Sequence, residues 1–301
     1  MRTFRSASVW SAARRLGVFA LLLAVVALTG CDATGDLDEG DELAVTAEET
    51  AEAIAFSAAE ETGGTAESFA DAAVLLTNGT SSSGFDGLAK SITRDRSCTY
   101  DDTQKSWSCD FSVVGSAGRL DSINVERSSR AQFFDGDAPV VRPADADSMT
   151  FEIVSGSGLI QTPRIDNSHA LLATKWALAR TPASNEFAIY LLSPPAGRDV
   201  SESFVGPRRS RTREAQIRKT DARGLLWRSG TPGRPVDGTL EGTYAATVEI
   251  ERANGDTVTR SVDVAYTITF HEDGAEITFT GGGERFTGQS FSFNIETGLL
   301  E

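Results

Sequence analysis

The chain has 301 residues, with 43 acids against 28 basic residues and a formal net charge of −15. That balance excludes a nucleic-acid binder and a protein held to anionic headgroups by charge alone. With 40% hydrophobic residues there is enough chain to bury the core of one large domain or two small ones.

Residues 1–30 hold Arg2, Arg5, Arg14 and Arg15 and no acid, and end in the thirteen-residue uncharged run LGVFALLLAVVAL and two small residues. As a helix that run would reach roughly 20 Å, short of the ~30 Å hydrocarbon core, so it reads as a secretory signal and not a span. Leu28-Thr29-Gly30-Cys31 resembles the lipobox of bacterial lipoproteins. The resemblance implies cleavage before Cys31, a diacylglyceryl group on its thiol, and a protein anchored to a membrane of the cell envelope, facing the periplasm or exposed at the surface. The signal takes four arginines and no acid with it, so −15 becomes −19. Asp32, Asp36, Asp38, Glu39, Asp41 and Glu42 then make residues 31–45 a solvated, self-repelling tether.

Residues 46–79 form a short helical region. Thr46 and Glu49 have the spacing of a capping box, and Gly63-Gly64 ends the first helix. In the second, Phe69, Ala72, Ala73 and Leu76 form an apolar stripe that stops at Asn78-Gly79. Both helices are rich in alanine and thinly apolar, so they must lie against something larger. A TSSSG loop follows.

From residue 92 to residue 301 the chain reads as an antiparallel β domain. With Cys31 lipidated, Cys98 and Cys109 remain as a pair in an oxidising compartment. Pairing them across a hairpin sets Tyr100 opposite Trp107 and Asp102 opposite Lys105, so three interactions agree on one register. Phe151 to Val154 reads as a strand. Residues 168–180 fit either a helix or a strand; the alternation of Leu172, Thr174, Trp176 and Leu178 favours a hairpin with FAIYLL. Further on, Tyr244, Ala246, Val248 and Ile250 share one face, as do Val258, Val262, Val264, Tyr266, Ile268 and Phe270. A three-residue loop, Ala253-Asn254-Gly255, keeps these faces together by setting Ile250 against Val258 and Tyr244 against Val264. A two-residue type I′ loop at Asp273-Gly274 would set Phe270 against Ile277 and Ile268 against Phe279. Strands this long curl, so the fold class is mainly β: an antiparallel meander forming a barrel, a half-barrel or a sandwich, with a short α-helical N-terminal region.

The sequence holds no HExxH, GxSxG, SxxK or P-loop pattern, so no cofactor, metal or catalytic group is expected. His271 has solvent-facing parity, and His169 reads as a surface loop residue. The glycines at 156–158 and 281–283 read as turns. Asp135, Asp137, Asp145 and Asp147 offer hard oxygens in loops where solvation is the commoner state. Arg208, Arg209, Arg211, Arg213, Arg218 and Lys219 cluster in an otherwise acidic chain. They either bind an anionic glycan or an acidic partner, or pair with the protein's own acids.

These readings predict a lipid-anchored, exported envelope or surface protein with a structural or binding role and no evident catalytic activity. The alternative is an envelope lipid carrier or assembly factor holding an apolar ligand in a curved sheet. An apolar face left open around a cavity would mark the carrier; a filled one, the structural domain.

Overall fold

The structure is a computed structural model that describes residues 45–78, 92–117, 120–183, 185–205, 209–230, 234–252 and 255–301. The signal, the lipobox with Cys31, nearly all of the tether, the TSSSG loop and Arg208 lie outside the described residues, as do Gly79, Ala253 and Asn254.

Helix α1 (Ala47–Ala58) opens on the expected capping box: Glu49 N–H donates to Thr46 Oγ1, and Thr46 N–H to a Glu49 carboxylate oxygen. It ends at Ala58, earlier than Gly63-Gly64, and a turn leads into α2 (Thr65–Asn78). Gly64 is needed at that junction, because a Cβ there would lie 2.2 Å from the Ala59 carbonyl oxygen. Both helices bury small and aliphatic side chains, among them Ala51, Ile54, Phe69 and Leu76.

The strands are β1 (Ile92–Asp101), β2 (Ser106–Ala117), β3 (Leu120–Asp135), β4 (Ala138–Val140), β5 (Ser148–Gln161), β6 (Ile165–Leu171) and β7 (Thr174–Arg180). They continue with β8 (Glu186–Leu191), β9 (Ala196–Val205), β10 (Arg209–Arg228), β11 (Arg234–Arg252), β12 (Thr257–His271), β13 (Gly274–Phe279) and β14 (Ser290–Phe293). All 14 belong to one antiparallel sheet. Strands β6 and β7 lie end to end along β5, and β9 and β8 lie end to end along β10. Each pair fills one position, and β4 lies on β3 beyond the end of β2, so apart from β4 the spatial order follows chain order. The two end strands do not pair with each other, which makes the sheet an open one.

The sheet curls around the helices. Helix α2 reaches β1 through Asp71 and Arg96, β3 through Arg127, β7 through Phe69 edge-on to Trp176, and β10 through Phe69 and Trp227. One continuous core runs from α1 and α2 across β2 to β14, with Ile54, Leu76, Phe151, Trp176, Trp227, Tyr244, Ile268 and Phe293 at its centre.

The first hairpin has the expected register: Cys98 faces Cys109 in a disulfide with Cα atoms 4.1 Å apart, and Tyr100 faces Trp107 with ring centroids at 5.2 Å. Lys105 Nζ meets Asp102 at 2.6 Å in the turn. Closing a loop of this size is worth about 3 kcal/mol on chain entropy. Residues 168–180 hold no helix: β6 runs to Leu171 and β7 starts at Thr174, with Thr174, Trp176 and Leu178 alternately buried, and β7 and β8 form the expected hairpin. Ile250 faces Val258 and Tyr244 faces Val264, and Gly255 takes a φ of +87°.

The next turn corrects the expected register. His271 pairs with Gly274 across Glu272-Asp273, so Ile268 faces Ile277 and Phe270 faces Ala275. None of Glu272, Asp273 and Gly274 has the positive φ that a type I′ loop demands. The slip is two residues, an even number, so every side chain keeps its face.

Candidate functional site

Alternation along β10 divides the basic cluster. Arg213 and Lys219 are buried on the concave side with Ala215 and Ile217, whereas Arg218 turns outward. Glu49 of α1 and Glu202 of β9 bracket the inward arginines. Arg211 Nη1 pairs with Glu49 and its Nη2 lies 3.8 Å from Glu202. Arg213 Nη2 meets Glu202 at 2.7 Å and its Nη1 meets the Tyr244 hydroxyl at 3.3 Å. Arg218 pairs with Asp199 and donates to the Arg198 carbonyl oxygen at 2.7 Å. The Arg209 side chain, like Arg208, lies outside the described residues. The arginines with described side chains therefore fasten β10 to β9 and α1 and are not gathered on one exposed surface.

A second ionic group went unnoticed in the sequence. Glu67 and Asp71 stand one turn apart on α2 and face the first three strands. Arg96 Nη1 meets Asp71 at 3.1 Å and Arg94 Nε meets Glu67 at 3.4 Å. Arg127 lies between the two acids at 3.9 and 3.7 Å, donates to Ser68 Oγ at 3.0 Å, and stacks 4.3 Å above the Phe111 ring. All five side chains are nearly or wholly buried. Burial lifts both carboxyls above their ordinary values, against the pull of Arg127. Nearby Glu60 rises to about 7, through burial first and the neighbouring Glu67 charge second.

His169 is a correction: it is a buried residue of β6 and not a surface loop residue. Its ring lies over Gly158 of β5, where a Cβ would come within 2.3 Å of the imidazole, and Gly156 likewise clears Leu171. The GSG segment is thus mid-strand and not a turn; its glycines make room for inward side chains of the next strand. Burial, with the Arg198 charge second, drives the imidazole to a pKa of about 2, so it stays neutral. His271 is exposed, as its parity predicts, and the glycines at 281–283 do form a turn. Among the described residues Asp147 has no ion pair: it accepts from the Gly136 N–H at 3.1 Å and from Ser148 Oγ at 2.8 Å.

The convex side carries a groove of about 870 Å³. Its floor is a row read across five strands: Ser168 of β6, Ser201 of β9, Glu214 of β10, Thr247 of β11 and Ser261 of β12 are successive register partners. Small side chains on adjacent strands produce the hollow, and Glu214 sits in its middle, accepting from Ser201 Oγ at 2.6 Å. The groove's lining includes no Phe, Tyr or Trp. On the concave side, two cavities between the helices and the sheet measure about 20 and 30 Å³, and an opening of about 440 Å³ lies where the start of α1 meets Arg285, Gln289 and Phe291. Among the described residues, no three of His, Cys, Asp or Glu assemble into a metal-binding group.

No family model, no curated protein and no solved structure matches the chain.

Proposed function

We propose that this chain is an exported envelope protein, anchored to a membrane by lipid on Cys31, with a structural or binding role and no catalytic part. The observation that carries this reading over a lipid carrier is the filling of the concave face. Helices α1 and α2 occupy it: two cavities between them and the sheet are about 20 and 30 Å³, an order of magnitude below the ~300–1,000 Å³ of small-molecule pockets, and an opening of about 440 Å³ remains where the start of α1 meets Arg285, Gln289 and Phe291. The groove on the convex side is the surface best shaped for a partner. Its serines, threonine and Glu214 offer hydrogen-bonding groups beside a wall of alanines and valines. The internal pairing of Arg211, Arg213 and Arg218 supports a fastening role for the basic cluster over capture of an anionic glycan or an acidic partner.

Two experiments test the reading. Cys31→Ser should move the protein from the membrane fraction to the soluble fraction and abolish fatty-acid labelling; a variant that still labels and sediments contradicts the anchor. Native mass spectrometry of the protein released from mild detergent should show the bare chain mass beyond its own anchor. A stoichiometric co-purified lipid would replace this reading with the carrier.

A further inference from the structure

The start of α2 meets the sheet at a cavity of about 30 Å³ lined by Gly64, Thr65, Trp176, Arg198 and Lys219, among others. Lys219 is 3% exposed, and among the described residues no hydrogen-bond acceptor or carboxylate is paired with its ammonium. Arg198, also 3% exposed, donates from Nη2 to the Gly63 carbonyl oxygen at 3.1 Å and likewise has no carboxylate partner among the described residues. The charged groups that act on Lys219 are Arg198 and Arg218, both cations. Arg218 turns away to Asp199 and the Glu67 charge acts on Arg198, which leaves Lys219 as the cation that no carboxylate among the described residues offsets. Burial, followed by these two charges, presses the Lys219 pKa down to about 7.

Helix geometry adds donors at the same place. The first amides of an α-helix have no intrahelical acceptor, and the 14-residue α2 starts after Gly64, which has no side chain to cap them. They carry the positive end of the helix dipole. A buried ammonium, a buried guanidinium and a helix N-terminus thus converge on one small space.

We propose that this cavity binds one monovalent anion of chloride size, held between the Lys219 ammonium, the Arg198 guanidinium and the first-turn amides of α2. The volume sets the size: about 30 Å³ is some twice the ~10–15 Å³ that a water requires, enough for a halide and too little for a tetrahedral oxyanion. The anion ties α2 to β9 and β10 and offsets the Lys219 charge, which no carboxylate among the described residues offsets. The proposal is independent of how the chain is anchored.

The test uses the full chain in mild detergent at fixed ionic strength, with sodium bromide or chloride replacing sodium gluconate. Halide should raise the melting temperature by about 2–5 °C. Because Trp176 lines the cavity, bromide should also quench tryptophan fluorescence with a saturable component. Lys219→Met should abolish both responses. No halide response in the wild type, or an equal response in Lys219→Met, overturns the proposal. Should Lys219→Met not fold, bromide-soaked wild-type crystals decide: an anomalous peak in contact with Lys219 Nζ supports the site, and none there at saturating bromide overturns it.

Discussion

Strands β11, β12 and β13 turn Val248, Ile250, Val264, Ile268 and Ile277 toward the concave side, and β1, β2 and β3 turn Arg94, Arg96, Cys109 and Arg127 toward that same side. The sheet is continuous, yet one end meets the helices with hydrocarbon alone and the other with guanidinium beside a smaller apolar cluster of Phe111, Val113, Ile123, Val125 and Ile160. Helix α2 matches both: Phe69 and Leu76 are buried in the apolar core, while Glu67 and Asp71 face the arginines. The apolar end is held by area removed from water, which tolerates small changes of partner. The ionic end is held by charge balance in a place without solvent, so removing one member leaves the others stranded. The difference makes the ionic end the more specific fastening and the more fragile one.

The largest effect should come from upsetting that balance. Glu67→Gln with Asp71→Asn strands Arg127, which among the described residues has these two carboxylates alone, and denaturant unfolding should show a loss of about 3–5 kcal/mol. Adding Arg127→Met should recover part of it, because that stranded charge is then gone. Failure of the triple variant to recover would mean that Arg127 acts by packing on Phe111 and not by charge. At the apolar end, Ile268→Ala should cost about 2–5 kcal/mol through the hole it leaves. Adding Arg127→Met in that background should recover nothing. Equal rescue at both ends would erase the distinction between them.

A smaller effect follows from Glu60. Its folded pKa of about 7 lies above the ordinary 4.5, so the native state binds its proton more tightly than the unfolded chain does. The stability this supplies is full below about 4.5 and is lost as pH rises through about 7. Glu60→Gln should therefore gain on the wild type between pH 5 and pH 8, by ~3 kcal/mol at most. Parallel stability curves for the two proteins over that range would show that Glu60 is not desolvated as described.

The apolar end was legible in the sequence because strict alternation fixes both a strand's faces and, with turn length, its pairing. Ile250 against Val258 follows from that alone. The register at Glu272-Asp273 escaped because parity survives a slip of two, so hydrophobic pattern cannot see it. At the ionic end, Arg94 and Arg96 alternate like any inward pair, yet a charge on a strand reads as solvent-facing until its partner is known. The partners, Glu67 and Asp71, are one helical turn apart on α2, separated from the arginines by a long stretch of chain. Helical spacing of two acids on the border of the Phe69–Leu76 stripe was the available signal. His169 was missed for a related reason: its burial depends on the absent side chain at Gly158, one strand away. The paired state of Arg211 and Arg213 was among the expected outcomes, but nothing in the sequence identifies Glu49 and Glu202 as the acids.

The central claim is that α1 and α2 are a permanent filling of the sheet and not a removable cover. Native-state hydrogen exchange on the full chain measures this directly, since amides that open only on global unfolding share one protection free energy. The backbone amides of Ala70 to Leu76 in α2 should exchange as slowly as those of Tyr244 to Ile250 in β11. Fast exchange along α2 while β11 stays protected would contradict the claim, because the helices would then leave an intact sheet and open its concave face to a ligand.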